Sequence, residues 1–193
     1  MASNPKTIYT QDEYLALERS CETKHEYYDG EIFAMGGASR YHVTVVTNLV
    51  GELHTQLKEG PCQVYSADLR VKVAPTGLYT YPDVVVLCDE PRFSDEQKDT
   101  LLNPALIIEV LSESTEDYDR GRKFEQYRTI DSFVEYLLIA QDRPHVEHHT
   151  RQSDGSWVLY ETNNLADTIQ LKSAPCTLRM ADIYAKVNFP PTD

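Results

Sequence analysis

Two apolar runs, each carrying one carboxylate, constrain this chain more than any other feature. They are Pro82-Asp83-Val84-Val85-Val86-Leu87-Cys88 and Ala105-Leu106-Ile107-Ile108-Glu109-Val110-Leu111. Nearly continuous apolar runs fit central strands buried on both faces of a sheet. A charge inside such a strand costs several kcal/mol or more unless it is paired or binds a metal. If the strands are neighbours, Asp83 and Glu109 share one edge of the sheet and form part of a cation site. Mg²⁺ is typically held by one or two protein carboxylates, with waters and phosphate oxygens completing its shell. A bound metal acidifies a water and neutralises charge developing on a phosphoryl group. Taken singly, Asp83 also fits a turn after a proline, and Glu109 fits an arginine partner. Taken together they point to a site.

The remaining segments supply elements around these strands. Thr10-Gln11-Asp12-Glu13 fits a capping box and opens a short helix over about 10–19. Asp29-Gly30, between strand-like runs, signals a hairpin, because both central residues of a type I′ turn need positive φ. Val43, Val46, Leu49, Val50, Leu53 and Leu57 recur at spacings that predict an amphipathic helix over 40–58, ended by Gly60-Pro61. Strands are expected at 62–66, 69–73 and 81–88, then a charged loop over 89–103 and a strand at 105–111. A helix over 116–130 follows, then strands at 134–140, 144–150, 157–160 and 168–172 and a short helix at 180–187. Residues 1–9 and 188–193 read as tails on a single domain over 10–187. Strands in direct succession with interspersed helices make the chain α/β or α+β, a central mixed β-sheet flanked by helices.

Lys123 is the third candidate residue. It lies on the helix after the Glu109 strand, with Asp119 and Arg120 on its own face. A lysine near a scissile phosphate orients the attacking water and stabilises charge in the transition state. A surface Asp119–Lys123 or Lys123–Tyr127 contact is the plainer use of the same spacing. In order, Pro82-Asp83, Glu109-Val110-Leu111-Ser112 and Tyr118-Asp119-Arg120-Gly121-Arg122-Lys123-Phe124 resemble the Uma family of putative restriction endonucleases, within the PD-(D/E)XK nuclease superfamily. The resemblance runs from about Tyr14 to Ile183 and takes in Glu26 in the opening hairpin. It implies a restriction-endonuclease-like fold and a metal-dependent endonuclease acting on nucleic-acid phosphodiesters, DNA rather than RNA. It also implies Mg²⁺ or Mn²⁺ on Asp83 and Glu109, assistance from Lys123, and Glu26 near the metal or substrate. Superfamily habit adds a homodimer, since a duplex has two strands. In the superfamily pattern the lysine stands two residues after the glutamate, where this chain has Leu111. In the Uma family it stands on the following helix, which fits Lys123. The departure keeps open a catalytically inactive nuclease fold that serves as a binding or assembly protein. A third reading is an unrelated dimeric structural domain whose acids pair with Arg70, Arg120 or Arg122.

Charge and composition limit these options. A net charge of −13 argues against a broad nucleic-acid surface, which is normally basic. Contact with DNA then has to be local, metal-assisted or shared across an oligomer. No run of 18 apolar residues suggests a membrane span, and the first residues lack the apolar stretch of a signal peptide. The chain is expected in the cytoplasm. Cys21, Cys62, Cys88 and Cys176 are dispersed, fit neither a zinc knuckle nor a redox dithiol, and are expected to be buried thiols. His145, Glu147, His148 and His149 fit either a transition-metal site or the polar face of a strand. His42, at the start of the long helix, and Asp68, between two strands, are further candidates with packing or turn roles as alternatives. Gly36-Gly37 lacks the surroundings of a phosphate-binding loop. The 13 tyrosines suit base stacking or packing at the core boundary.

Overall fold

In the computed structural model, which describes residues 8–189, the chain opens with α1 (Gln11–Glu18), β1 (His25–Tyr28), β2 (Glu31–Ala34) and α2 (Arg40–Leu57). Thr10 and Glu13 form the expected capping box. Asp29 and Gly30 have φ of 49° and 83°, as a type I′ turn requires. Ser39 caps α2 by accepting the His42 amide. The buried stripe of α2 is Val45, Leu49, Leu53 and Leu57, at intervals of four. Val43, expected in that stripe, is half exposed, because two residues before Val45 is about 200° around the helix.

Next, β3 (Gln63–Ser66), β4 (Arg70–Val73), β5 (Leu78–Thr80) and β6 (Val84–Leu87) make one hairpin that changes sheet half-way. Val71 faces Thr80 in the inner half, but Ser66 faces Val84 in the outer half. Five residue steps on one arm therefore oppose four on the other, which has the effect of a β-bulge. Pro82, which has no N–H for a ladder, sits on the shorter arm. The strand expected over 81–88 is shortened accordingly, and β5 precedes it as an element the sequence pattern did not mark.

Then come β7 (Thr100–Leu101), β8 (Leu106–Leu111), α3 (Glu116–Tyr118), a π-helical turn (Asp119–Lys123) and α4 (Phe124–Tyr127). The helix expected over 116–130 is thus three pieces. The chain closes with β9 (Glu135–Ala140), β10 (Val146–Arg151), β11 (Trp157–Thr162), β12 (Thr168–Gln170), β13 (Thr177–Arg179) and α5 (Met180–Ile183). One sheet has the order β2-β1-β5-β4-β7 and the other β11-β10-β9-β8-β6-β3, with β12-β13 as a separate ribbon. β8–β9 and β4–β7 are parallel pairs among antiparallel ones, so both sheets are mixed, as expected. α2 and α5 cover one face of the six-stranded sheet, over Val84, Val86, Leu106 and Ile108. Val85, Leu87, Ile107 and Leu111 face the other way, onto α4 and β4.

The cysteines correct one expectation. Cys62 and Cys88 form a disulfide, because they stand one rung beyond the Gln63–Leu87 pair of β3 and β6. Cys21 and Cys176 are free, the first exposed and the second buried. Of the expected tails, residues 1–7 and 190–193 lie outside the described residues. Tyr9 donates its amide to the Gly30 carbonyl, and Phe189 packs on Tyr184. No helix among the described residues is long and apolar enough to cross a membrane.

Glu135, fully buried at the start of β9, is held by His148 Nε2 (2.5 Å), the Ser173 hydroxyl (2.5 Å) and amide (2.9 Å), and the Lys172 amide (3.0 Å). Burial pushes its pKa up, but His148, Ser173 and Lys172 outweigh that and leave it below the ordinary glutamate value. A carboxylate with a depressed folded-state pKa stabilises above its unfolded pKa and loses that contribution as pH falls through the folded value. Glu135→Ala is expected to cost about 3–5 kcal/mol at neutral pH, since it leaves buried partners uncompensated. A denaturant midpoint measures this. The gap between variant and wild type should narrow below about pH 4.

Candidate active site

Val84 faces Ile108 across β6 and β8, so Asp83 stands opposite Glu109 one rung further along. Strand alternation turns both toward the α4 side of the sheet. The Asp83 amide points at Glu109 Oε2 (3.4 Å), and the Val110 amide donates to Asp83 Oδ2 (2.8 Å). From α2, His42 brings Nε2 to 2.9 Å from Asp83 Oδ1. The Ser39 cap fixes the turn that delivers it.

The π turn supplies the opposing charge. Lys123 Nζ lies 2.9 Å from Glu109 Oε1, 3.2 Å from Asp119 Oδ1 and 3.4 Å from Glu26 Oε1. Glu26 reaches in from β1 and also accepts the Thr80 hydroxyl from the end of β5. Tyr127 donates to Glu109 Oε1 (2.9 Å), and Tyr136 donates to the Asp119 carbonyl (3.2 Å). Asp83, Glu109, Lys123 and Glu26 are thus brought into one cluster. The Asp119–Lys123 contact is not a surface pair, since both side chains are about 95% buried.

Sequence reasoning offered Asp119 only as that surface partner, although its spacing from Lys123 marked it. Nothing in the sequence singles out Thr80, and Tyr127 is marked there only as a surface neighbour of Lys123. His42 joins the cluster, whereas Asp68 does not: it is exposed and pairs with Lys24 at 2.8 Å. Two arginines of the structural-domain reading are engaged elsewhere, and Arg122 is exposed. Arg70 meets Asp99, Tyr81 and Thr100, and Arg120 meets Glu116 and Glu147.

Four carboxylates, Asp83, Glu109, Asp119 and Glu26, thus face one ammonium and one imidazole. Burial pushes the Glu109 carboxyl up to about 8, with Lys123 pulling it down and Asp119 and Asp83 adding repulsion. Burial works against the charge on Lys123, but Glu109, Tyr127, Glu26 and Asp119 outweigh it and raise its pKa well above the usual lysine value. Burial lowers His42 likewise, and the bond to Asp83 more than offsets it, leaving its pKa raised. The excess of hard oxygen donors suits a divalent cation. Among the described residues, Glu109 Oε2 has only the long contact to the Asp83 amide, so it retains a lone pair to give. The residues present therefore fit a cation held by Asp83 and Glu109. A cleft of about 340 Å³ opens at the ends of β8 and β9, lined by Ser39, Tyr41, Ser112, Gln141 and Arg143 among others. A larger cavity, about 460 Å³, lies by Asp131, Arg151 and Gln152 and touches none of the cluster.

Residues 11–181 match the family described as "Uma2: Putative restriction endonuclease". The chain belongs to the Uma2 family. Two uncharacterized Synechocystis proteins resemble it over most of their length. The first, slr1290, is 35% identical over 97% of both chains. The second, sll1609, is 39% identical over 80% of this chain and 87% of its own. A crystal structure described as "a putative nuclease belonging to DUF820", from Anabaena variabilis, superposes with a TM-score of 0.74 at 17% identity. It covers 92% of this chain and 98% of that one and shows a shared nuclease-like fold. Family and fold together support a nuclease-like function.

In this Uma2 chain, Lys123→Met removes the one ammonium among three carboxylates. It is expected to destabilise the metal-free protein by about 3–5 kcal/mol, read by urea denaturation. Glu109→Gln in the same chain should restore part of that loss. A loss below about 1 kcal/mol would mean that Lys123 does not compensate the acids as a buried pair would.

Proposed function

We propose that this protein is a metal-dependent endonuclease that hydrolyses nucleic-acid phosphodiester bonds, DNA rather than RNA. A single domain over 10–187 carries the activity, in the cytoplasm. The observation that carries this reading is the meeting of Asp83 and Glu109 on facing rungs, with Lys123 among the acids. Asp83 and Glu109 would hold Mg²⁺ or Mn²⁺. The bound ion supplies Lewis acidity, neutralising phosphate charge and acidifying a water.

The chain's own residues do the rest. Lys123, kept as an ammonium, orients the attacking water and offsets charge on the phosphoryl oxygens. Tyr127 fixes the Glu109 carboxylate through Oε1, and His42 fixes Asp83 through Oδ1. Thr80 and Lys123 hold Glu26 Oε1. Among the described residues Glu26 Oε2 has no bond of its own, so it stands as the acceptor for the proton the water gives up. Arg143, at the adjacent cleft, is paired with Asp142 at 3.1 Å and would exchange that partner for a phosphate of the nucleic acid. A homodimer would present one site to each strand of a duplex. Its support here is the edge strand β11, which exposes Val158, Leu159 and Tyr160.

Calorimetry with Mn²⁺ should show binding to the wild type that is lost in Asp83→Ala. Plasmid and single-stranded DNA should be cut only with the metal, and Lys123→Ala should lower the rate by about 100-fold or more. Metal binding without cleavage by the wild type points instead to the inactive binding or assembly protein. A full rate in Lys123→Ala removes the lysine from the chemistry.

A further inference from the structure

The face of β10 that meets α4 carries Glu147 and His149, and His145, directly before the strand, stands two residues from Glu147. Glu147 lies directly opposite Glu161 of β11. Two like charges on facing positions destabilise a sheet unless a cation compensates them. His145 Nε2 stands between them, 3.6 Å from Glu147 Oε1 and 3.5 Å from Glu161 Oε1. These distances are too long for hydrogen bonds. Elsewhere in the molecule histidine meets carboxylate at 2.5 Å (His148–Glu135) and 2.9 Å (His42–Asp83). They are instead close to the spacing between ligands around a tetrahedral zinc ion, about 3.4 Å for bonds of about 2.1 Å. The three donor atoms all lie within 4.8 Å of one another.

We propose that His145, Glu147 and Glu161 form a second cation site, separate from the nuclease cluster, for a borderline divalent ion of the Zn²⁺ kind. Imidazole with carboxylates selects such ions over Mg²⁺. Glu161 is half exposed, which leaves the ion a path from solvent and a position for water. Glu147 is nine-tenths buried, and Arg120 Nε donates to its Oε1 at 2.8 Å. That is the outer-shell partner a ligating carboxylate normally has. His149 Nε2 lies 3.8 Å from Glu147 Oε2. Arg120 belongs to the π turn that also presents Asp119 and Lys123, so the bound ion braces the turn behind the nuclease cluster.

The test uses the untagged full-length chain, titrated with Co²⁺ and followed by its visible absorption, then competed with Zn²⁺. One Co²⁺ per chain should bind in Asp83→Ala, which lacks the nuclease site, and be displaced by Zn²⁺. Binding should weaken at least tenfold in His145→Ala and in Glu161→Gln. Glu161 is exposed enough for that substitution to leave the fold intact, and circular dichroism checks it. Absence of Co²⁺ and Zn²⁺ binding in Asp83→Ala overturns the proposal. So does binding that neither His145→Ala nor Glu161→Gln changes. The nuclease reading stands or falls separately, on cleavage and on Mn²⁺ binding by the Asp83 site.

Discussion

The Lys123 ammonium, enclosed by Glu109, Asp119 and Glu26, is the contact on which the arrangement of the whole site depends. Its partners come from three distant stretches of chain. Glu26 belongs to the first hairpin, Glu109 to the central strand and Asp119 to the π turn. The ammonium therefore ties the five-stranded sheet to the six-stranded one. Such a cluster is a poor way to gain stability, because desolvation of buried ions offsets most of their attraction, and apolar residues of the same volume often do better. The negative charges also outnumber the positive ones, and burial first, with repulsion from Asp119 and Asp83 added, pushes Glu109 up to about 8. A fold that gathers unbalanced carboxylates at one point is poised to take a cation.

Two departures from regular structure make the gathering possible. The extra residue on the β3–β4 arm lets the chain leave one sheet and enter the other between Thr80 and Val84. Asp83 lies at that crossing, one rung from Ile108, rather than inside a uniform ladder. The π turn then widens the helix where Asp119 and Lys123 must both point inward. Bulges and π turns recur at functional sites because each re-aims a side chain at the expense of local regularity. Here each one delivers a charged group to the same cluster.

The features legible in the sequence were the local ones. The capping box, the Asp29-Gly30 turn, the stripe of α2 and the two apolar strands are all written within a few residues of themselves. The pairing of Asp83 with Glu109 was legible too, because a carboxylate inside an apolar run has to be explained. The same logic applies to Glu135, in an equally apolar run, and there it leads elsewhere. Four groups close around Glu135, while Glu109 keeps one oxygen nearly free. Only tertiary structure tells a satisfied buried acid from an open one. The Cys62–Cys88 bond and the short strand β5 were hidden for a related reason, since both depend on how β3 to β6 pair rather than on their own composition.

Arg120 and Lys123 sit three residues apart on one turn and serve opposite sides of it. Lys123 faces Glu109, and Arg120 faces Glu147. The orientation of that turn is thus set by two acidic clusters pulling on two cations. Both clusters thus act on one backbone segment, which Tyr136 also holds through the Asp119 carbonyl. For a protein of net charge −13, approach to a polyanion requires positive charge at the point of contact. On the proposed reading, a cation at the Asp83–Glu109 cluster would supply that charge without a basic surface.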